Sequence, residues 1–327
     1  MLSDLNLKQT QIAIKRVKDF FERDLSNELN LTRVSAPLFV RPETGLNDNL
    51  SGKEKAVNFK LKNYPINLEI VQSLAKWKRK ALKDYGFGLY EGIYTDMNAI
   101  RPEEILDPIH SIYVDQWDWE VIISKEDRNI DYLKQVVNKI YNVFKSCEVY
   151  INGLYPGIFQ EKLPSNITYI TAQELEDLYP DLDSKARERE ITKKYKAVFL
   201  IGIGNELKSG KIHDTRSPDY DDWELNGDIL FWNPVLNDCL ELSSMGIRVD
   251  EDSIIKQLSE SNQMHKLEMD YHDDIINKRL PYTIGGGIGQ SRICMYFLEK
   301  KHIGEVQASV WPVETIEKLR DEGIELL

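Results

Sequence analysis

Four glycines in five residues, Gly285-Gly286-Gly287-Ile288-Gly289, followed by Gln290-Ser291-Arg292, restrict this chain more than any other stretch. With no Cβ in the way, such a backbone can come very close to something flat or anionic. An obligate cation, Arg292, closes the run, and Ile293, Tyr296 and Phe297 continue it at helical spacing. Glycine strand, arginine and helix in that order form one way to hold a nucleotide. A tight turn bearing a surface arginine is the alternative. The run is no Rossmann fingerprint, because Gln290 stands where the third glycine belongs, and no Gly-Lys-Ser/Thr follows as in a P-loop.

The rest of the chain surrounds this run with alternating strand and helix signals. Residues 8–29 carry Ile14, Val17, Phe21, Leu25 and Leu29 at steps of three or four, a helical pattern. The short segment Leu31 to Val40 contains Pro37, which suits a strand edge or end. Strands are expected at Leu68–Gln72, 110–123, Thr168–Ile170, Ala197–Gly202, Asp228–Trp232 and Leu240–Ser243. Helices are expected at Ser73–Asp84, 130–149, Thr171–Tyr179 and over most of Asp252–Asn277. Residues 208–226 are polar and turn-rich, the composition of a mobile loop over a site. Strands that follow one another without regular βαβ alternation predict an α+β fold, a mainly antiparallel sheet flanked by helices. With no linker and 42% hydrophobic residues, residues 1–327 are expected to form a single catalytic domain.

Several functions are disfavoured. No run approaches the roughly 20 apolar residues of a membrane helix, and Met1-Leu2-Ser3-Asp4 lacks the basic start of a signal peptide. Cys147, Cys239 and Cys294 are too few and too far apart for a disulfide framework or a zinc site, so a cytoplasmic location is expected. A net charge of -12 argues against a general nucleic-acid binder, though not against a small anion in a locally basic pocket.

Five segments could carry chemistry. In the strand from His110 to Glu120, alternation puts Ile112, Val114, Gln116, Asp118 and Glu120 on one face. Gln116 and Asp118 then point the same way, about 7 Å apart, and suit the amino and amide-like groups of a small ligand; a solvated face is the alternative. Upstream, Arg101-Pro102-Glu103-Glu104 can present an arginine fork to a phosphate. Glu241 and Ser243 share a strand face, and Asp228 lies on a neighbouring strand, an oxygen set suited to Mg²⁺ on a nucleotide. A buried Glu241–Arg248 pair would be the structural alternative. Finally, Ser73 to Lys80 is a basic helix, normally a solvated face, from which Lys78 could reach a carboxylate; Gly45 to Gly52, with Asp48, is a polar loop.

Taken in order, these pieces resemble the catalytic core of a class II aminoacyl-tRNA synthetase. The first helix with Pro37 is similar to its first motif, Ile100-Arg101-Pro102-Glu103-Glu104 to its second, and Gly287-Ile288-Gly289-Gln290-Ser291-Arg292 to its third. Gln72-Ser73 with Lys78, Gln116 with Asp118, and Glu241-Leu-Ser-Ser-Met-Gly-Ile-Arg248 resemble the aspartate/asparagine branch. Those synthetases carry an anticodon-binding domain, which this chain is expected to lack. Asp48-Asn-Leu-Ser-Gly, Tyr113-Val-Asp-Gln-Trp-Asp-Trp-Glu and Asp219-Tyr-Asp-Asp-Trp add to the match, and the whole chain resembles the ammonia-dependent asparagine synthetases, the aspartate–ammonia ligase family. One departure is a short stretch between Trp223 and Asn226, expected to be a trimmed surface loop.

The resemblance implies ATP, Mg²⁺, L-aspartate and ammonia as ligands, a β-aspartyl-AMP intermediate, a homodimer built through the first motif, and no nucleic-acid or membrane partner. It implies that Arg101 bridges the α-phosphate and the reacting carboxylate, and that Arg292 holds the outer phosphates or covers the adenine, with Glu103, Gly287 and Gly289 also at ATP. Asp228 and Glu241 would hold the metal. Lys78 and Arg248 would clamp the α-carboxylate of aspartate, with Ser73 and Ser244 beside it, and Asp48, Gln116 or Asp118 would take its ammonium. Asp221 would orient or deprotonate the incoming ammonium. Because Leu2 follows Met1 and none of the three cysteines has the context of a nucleophile, ammonia is expected to be free, and glutamine should not replace it.

Overall fold

The computed structural model describes residues 5–48, 50 and 54–327; Asn49, Ser51 and Gly52 of the quoted loop, and the first four residues, lie outside this set. The chain opens with α1 (Leu7–Glu28), started by a reciprocal Asn6–Gln9 capping box and burying Val17, Phe21 and Leu25. Then come β1 (Leu31–Arg33), β2 (Phe39–Val40), β3 (Asn58–Lys60), β4 (Asn67–Ile70), α2 (Ala75–Asp84), β5 (Gly92–Ile100), β6 (Tyr113–Ile122) and α3 (Ile130–Leu154). The second half runs β7 (Thr168–Thr171), α4 (Ala172–Leu178), α5 (Ser184–Tyr195), β8 (Ala197–Ile201), β9 (Asp221–Asn233) and β10 (Asp238–Arg248). It closes with α6 (Glu251–Glu260), α7 (Asp270–Ile276), β11 (Thr283–Gly289), α8 (Gln290–Phe297) and α9 (Val313–Asp321).

Eight strands form one sheet in the order β1-β5-β6-β11-β10-β9-β8-β7. Every pairing from β5 through to β8 is antiparallel, but the edge pairs β1–β5 and β7–β8 are parallel, so the sheet is mixed. A small antiparallel sheet, β2-β4-β3, stands apart.

One face of the large sheet is mainly apolar, with Asp115 of β6 a buried charge upon it. There α1, α3 and α8 pack over Trp117, Phe231, Met245 and Ile288, with Phe21 stacked on Trp117 at 5.2 Å and Phe144 edge-on to Phe231 at 5.0 Å. The opposite face is covered only towards its ends. Val198, Leu200 and Leu230 pack under α4 and α5, while Ile93 and Met97 pack under α2 and the strands beside it. Between these caps, β6, β11 and β10 turn polar side chains outward, and the exposed middle of the sheet becomes the floor of a cleft.

Several elements differ from the sequence reading. No strand was expected at β5, where Tyr94 is nearly as buried as Ile93 and the alternation is therefore blurred. No helix was expected at α5, whose buried face includes Arg187 and Glu188, held by ion pairs to Glu176 and Lys185, so polarity hides its amphipathicity. The Trp223–Asn226 stretch is not a surface loop. It lies within β9, where register is lost between Asn226 opposite Gly246 and Asp221 opposite Arg248, the mark of a bulged strand. The basic stretch of α2 is no solvated face either, because Lys76, Lys78 and Arg79 are all buried.

Candidate active site

The glycine run forms β11, flat in mid-sheet, with β6 on one side and β10 on the other. Neighbouring residues require glycine at Gly285, Gly286 and Gly287. A Cβ on Gly285 would lie 2.0 Å from Glu120 Oε2, and one on Gly287 would lie 2.4 Å from Gln116 Oε1 and 2.8 Å from Asp118 Oδ1. On the other face, a Cβ on Gly286 would meet Met245 Cβ at 2.6 Å. The strand therefore supplies a smooth floor over which the side chains of β6 and β10 lean. Gly285→Ala should split Glu120 from its partners and destabilise the protein by about 3 kcal/mol or more, read by denaturant unfolding. Wild-type stability in that variant would contradict the packing argument.

Above this floor opens a cleft of about 440 Å³. Thirteen of the fifteen residues expected from the sequence line it together. Asp48, Ser73, Lys78 and Arg101 come from the loop, helix and strand end before β6. Gln116, Asp118, Asp221, Glu241, Ser244 and Arg248 come from β6, β9 and β10, and Gly287, Gly289 and Arg292 from β11 and α8.

Two expected residues do not line it. Glu103 is exposed at the corner of a turn closed by Glu104 N–H donating to the Arg101 carbonyl at 3.2 Å, and Glu104 lines the cleft in its place. Asp228 lies behind the lining and is ion-paired to Arg216. A further correction concerns β10. A bulge between Glu241 and Ser243 resets the alternation, so that Glu241 stands opposite Leu230 and Ser244 opposite Asp228. Ser244 therefore shares the face of Glu241, whereas Ser243 sits opposite Ile229, a residue of the main core.

The charges have specific partners. Arg248 does not pair with Glu241. Its Nε and Nη2 donate to Glu120 Oε1 and Oε2 at 2.9 and 2.7 Å, and its Nη1 donates to Asp221. Glu120 also accepts from Thr283 Oγ1 at 2.7 Å. Burial pushes the Glu120 carboxyl up, but Arg248 and Lys78 outweigh it and hold Glu120 below the usual carboxylate range. Lys78 Nζ donates to the carbonyls of Trp119 and Gly286, both at 3.0 Å, and lies 3.3 Å from Asp118 Oδ2. Burial lowers the Lys78 ammonium below its ordinary value.

Two cations, Lys78 and Arg248, thus face three carboxylates, Asp118, Glu120 and Asp221. Asp118 Oδ1 and both oxygens of Asp48 are buried without a hydrogen-bond partner among the described residues. Buried acceptors left unsatisfied are costly, so this arrangement favours a ligand rich in N–H donors. Arg101 is the opposite case. Among the described residues it makes one long hydrogen bond, Nη2 to the Gln72 carbonyl at 3.4 Å, and its buried Nε has no partner, which leaves its fork available to an anion. Arg292 Nη1 donates to the Glu241 carbonyl at 3.0 Å.

Three features escaped the sequence reading. Arg216 brings an additional cation to the cleft wall, and nothing in its polar loop distinguishes it from its neighbours. Glu120 completes the alternating face of Gln116 and Asp118 and could have been assigned on that ground. Behind Asp48, the fully buried Asp219 accepts from Lys76 at 3.1 Å, Lys266 at 3.2 Å, His272 Nε2 at 2.9 Å and Ser217 Oγ at 2.7 Å. Burial pushes Asp219 up, yet these partners hold it well below the carboxylate range, and burial lowers His272. The network ties α2, α7 and the 217–221 segment together beneath the cleft. As expected, residues 215–217 and 220 flank the cleft, but β9 already begins at Asp221.

Comparisons with known proteins agree on one family. Residues 8–323 match the family model for aspartate-ammonia ligase. The chain is 61% identical over 326 residues to the aspartate–ammonia ligase of Clostridium tetani, covering 99% of this chain and 95% of that protein. It is also 61% identical to the aspartate–ammonia ligase of Fusobacterium nucleatum, over 100% of this chain and 99% of that protein. Among solved structures, the asparaginyl-tRNA synthetase of Pyrococcus horikoshii complexed with asparaginyl-adenylate superposes with a TM-score of 0.66 at 18% identity, covering 93% of this chain and 70% of that one. The Entamoeba histolytica asparaginyl-tRNA synthetase in complex with asparaginyl-adenylate gives a TM-score of 0.64 at 15% identity, and there the chain spans 92% of its own length and 66% of the synthetase. At these identities the likeness establishes the fold, a class II aminoacyl-tRNA synthetase core.

Proposed function

The chain belongs to the aspartate–ammonia ligase family and makes L-asparagine from L-aspartate and ammonia with ATP, and we propose that it does so through β-aspartyl-AMP formed in this cleft. The observation that carries the proposal is the set of buried oxygens on Asp48 and Asp118 without a hydrogen-bond partner among the described residues, beside an already neutralised Lys78 and Arg248, with the sparsely engaged guanidinium of Arg101 on the same cleft. Ammonium groups satisfy the first, and a phosphate the second.

In this scheme the β-carboxylate of aspartate attacks the α-phosphorus of ATP and expels pyrophosphate. Arg101 bridges the entering carboxylate and the α-phosphate, and Arg292 lies along the outer phosphates or the adenine. Positioning and charge compensation supply most of the acceleration. Ammonia then attacks the acyl carbon, its spare proton leaves, and AMP departs with the former carboxylate oxygen. Lys78 and the remaining hydrogens of Arg248 face the α-carboxylate, with Ser73 and Ser244 beside it. Asp48, Gln116 or Asp118 receives the α-ammonium.

The residues present also suit Mg²⁺. Asp228 Oδ1 is buried and unpartnered among the described residues, and Glu241 opens onto the cleft. Among those residues no group of three or more acidic, histidine or cysteine side chains gathers as a metal site, so nucleotide oxygens and water would complete the shell. Asp228 and Glu241 would hold the ion, which when bound offsets the charge of the departing pyrophosphate.

Labelled oxygen in the β-carboxylate of aspartate tests the intermediate. Its appearance in AMP, together with aspartate-dependent pyrophosphate exchange in the absence of ammonium, is the expected result. Label in pyrophosphate or in free phosphate would rule the adenylate out. Asp221, held by Arg248, faces the cleft as the group that orients or deprotonates ammonium. Asp221→Asn should slow asparagine formation by about 100-fold while leaving pyrophosphate exchange nearly intact. Equal loss of both activities would remove that role. The cytoplasm is the proposed location. The proposed assembly is a homodimer through α1 and the segment after it, where Ile12, Leu38 and Phe39 are 48%, 49% and 44% exposed. A sedimentation mass of one chain would refute it.

A further inference from the structure

Asp115 lies on the face of β6 opposite Gln116 and has no place in the scheme above, yet it is 7% exposed and its carboxylate is fully engaged. Oδ1 accepts from the Ser291 backbone N–H at 3.1 Å and from Gln307 Nε2 at 3.2 Å, and Oδ2 accepts from Lys18 Nζ at 3.0 Å. Gln307 Nε2 in turn reaches Ser291 Oγ at 3.1 Å. The N–H of Ser291 belongs to the first turn of α8, whose own N-cap is Gly289, a residue with no side chain to cap it. Asp115 therefore caps α8 from a neighbouring strand, and its negative charge is favoured at that helix end. Arg292 follows Ser291 directly.

From this geometry we infer that Asp115 is a positioning residue for Arg292. It fixes the first turn of α8, and hence the direction of the Arg292 guanidinium, relative to the strand that carries Gln116 and Asp118. Lys18 extends the tether to α1, so the helix at the outer edge of the fold and the nucleotide side of the cleft share one carboxylate. This inference rests on the proposal that Arg292 contacts ATP.

The test is a double-mutant cycle on the full-length enzyme, with the KM values for ATP and aspartate measured separately. Asp115→Ala should raise the KM for ATP about tenfold and leave that for aspartate within about twofold. Asp115→Asn keeps the shape and an acceptor oxygen, so it should recover most of the loss, and it also serves if the alanine variant does not fold. In an Arg292→Met background, Asp115→Ala should cost nothing further for ATP, because the residue acts through the missing arginine. Additive losses in that background, or parallel rises in both KM values, would overturn the positioning role. If Arg292→Met alone leaves the KM for ATP unchanged, the nucleotide assignment falls, and the role of Asp115 falls with it. A normal response to Arg292→Met with no response to either Asp115 variant would remove the inference alone.

Discussion

Arg248→Met is expected to lower the thermal midpoint by roughly 10 °C and to abolish asparagine synthesis. The guanidinium is 2% exposed and engages Glu120 through two nitrogens and Asp221 through a third. Methionine fills much of the same volume but strands two buried carboxylates. Breaking such a network by removing one partner costs about 3–5 kcal/mol, a large share of the 5–15 kcal/mol that ordinarily keeps a domain folded. The sign of a companion variant distinguishes this cause from lost packing. Arg248→Met combined with Glu120→Gln should be more stable than Arg248→Met alone, because one stranded charge is then gone. A single variant that melts like the wild type, or a double variant that melts lower still, would refute the account.

Arg101→Met is expected to do the reverse, lowering kcat about 1,000-fold while leaving the melting temperature nearly unchanged. Among the described residues its one hydrogen bond is long and one buried N–H has no acceptor, so the folded protein gains little from it. A cation that the fold leaves unsatisfied is held for something the fold lacks. Parallel measurements of AMP release and pyrophosphate exchange should fall together, since both require attack at the α-phosphorus. A loss of less than about tenfold would move that duty to Arg292 or Arg216. The contrast between the two arginines separates residues that hold the cleft together from those that work in it.

Which residues share the cleft was largely legible in the sequence, because the pieces that carry them are regular. Gln116, Asp118 and Glu120 follow strict two-residue alternation on a strand with no interruption. Arg292 follows the glycine run directly, whereas Arg101 ends a strand of blurred alternation and Lys78 sits on a helix that reads as solvated, so these two rest on the family resemblance. Failures occurred where regularity breaks. The bulge in β10 puts Ser244 rather than Ser243 on the face of Glu241, although both border the cleft, and an inserted residue leaves no trace in composition. A turn swaps Glu103 for Glu104. The β9 bulge was expected to be a trimmed surface loop because the stretch between Trp223 and Asn226 departs from the family's pattern. The burial of Lys76 and Arg79 was illegible for another reason. Arg79 is satisfied by the Val249 and Pro281 carbonyls and Lys76 by Asp219, more than a hundred residues away, and no local pattern records such distant partners.

The place of β11 bears on how the enzyme comes into being. The strand that pairs with both β6 and β10 arrives from the final sixth of the chain, with Thr283 beside Ile122. Until it is inserted, the first and second halves of the large sheet have no hydrogen-bonded seam between them, and both seam strands present unpaired edges. Pairings so remote in sequence form slowly. A growing polypeptide on the ribosome thus cannot bind its substrates piecemeal. Catalytic competence should appear in one step, once β11 and Arg292 have cleared the exit tunnel, and truncation before Thr283 should yield sticky half-sheets rather than a weakened enzyme.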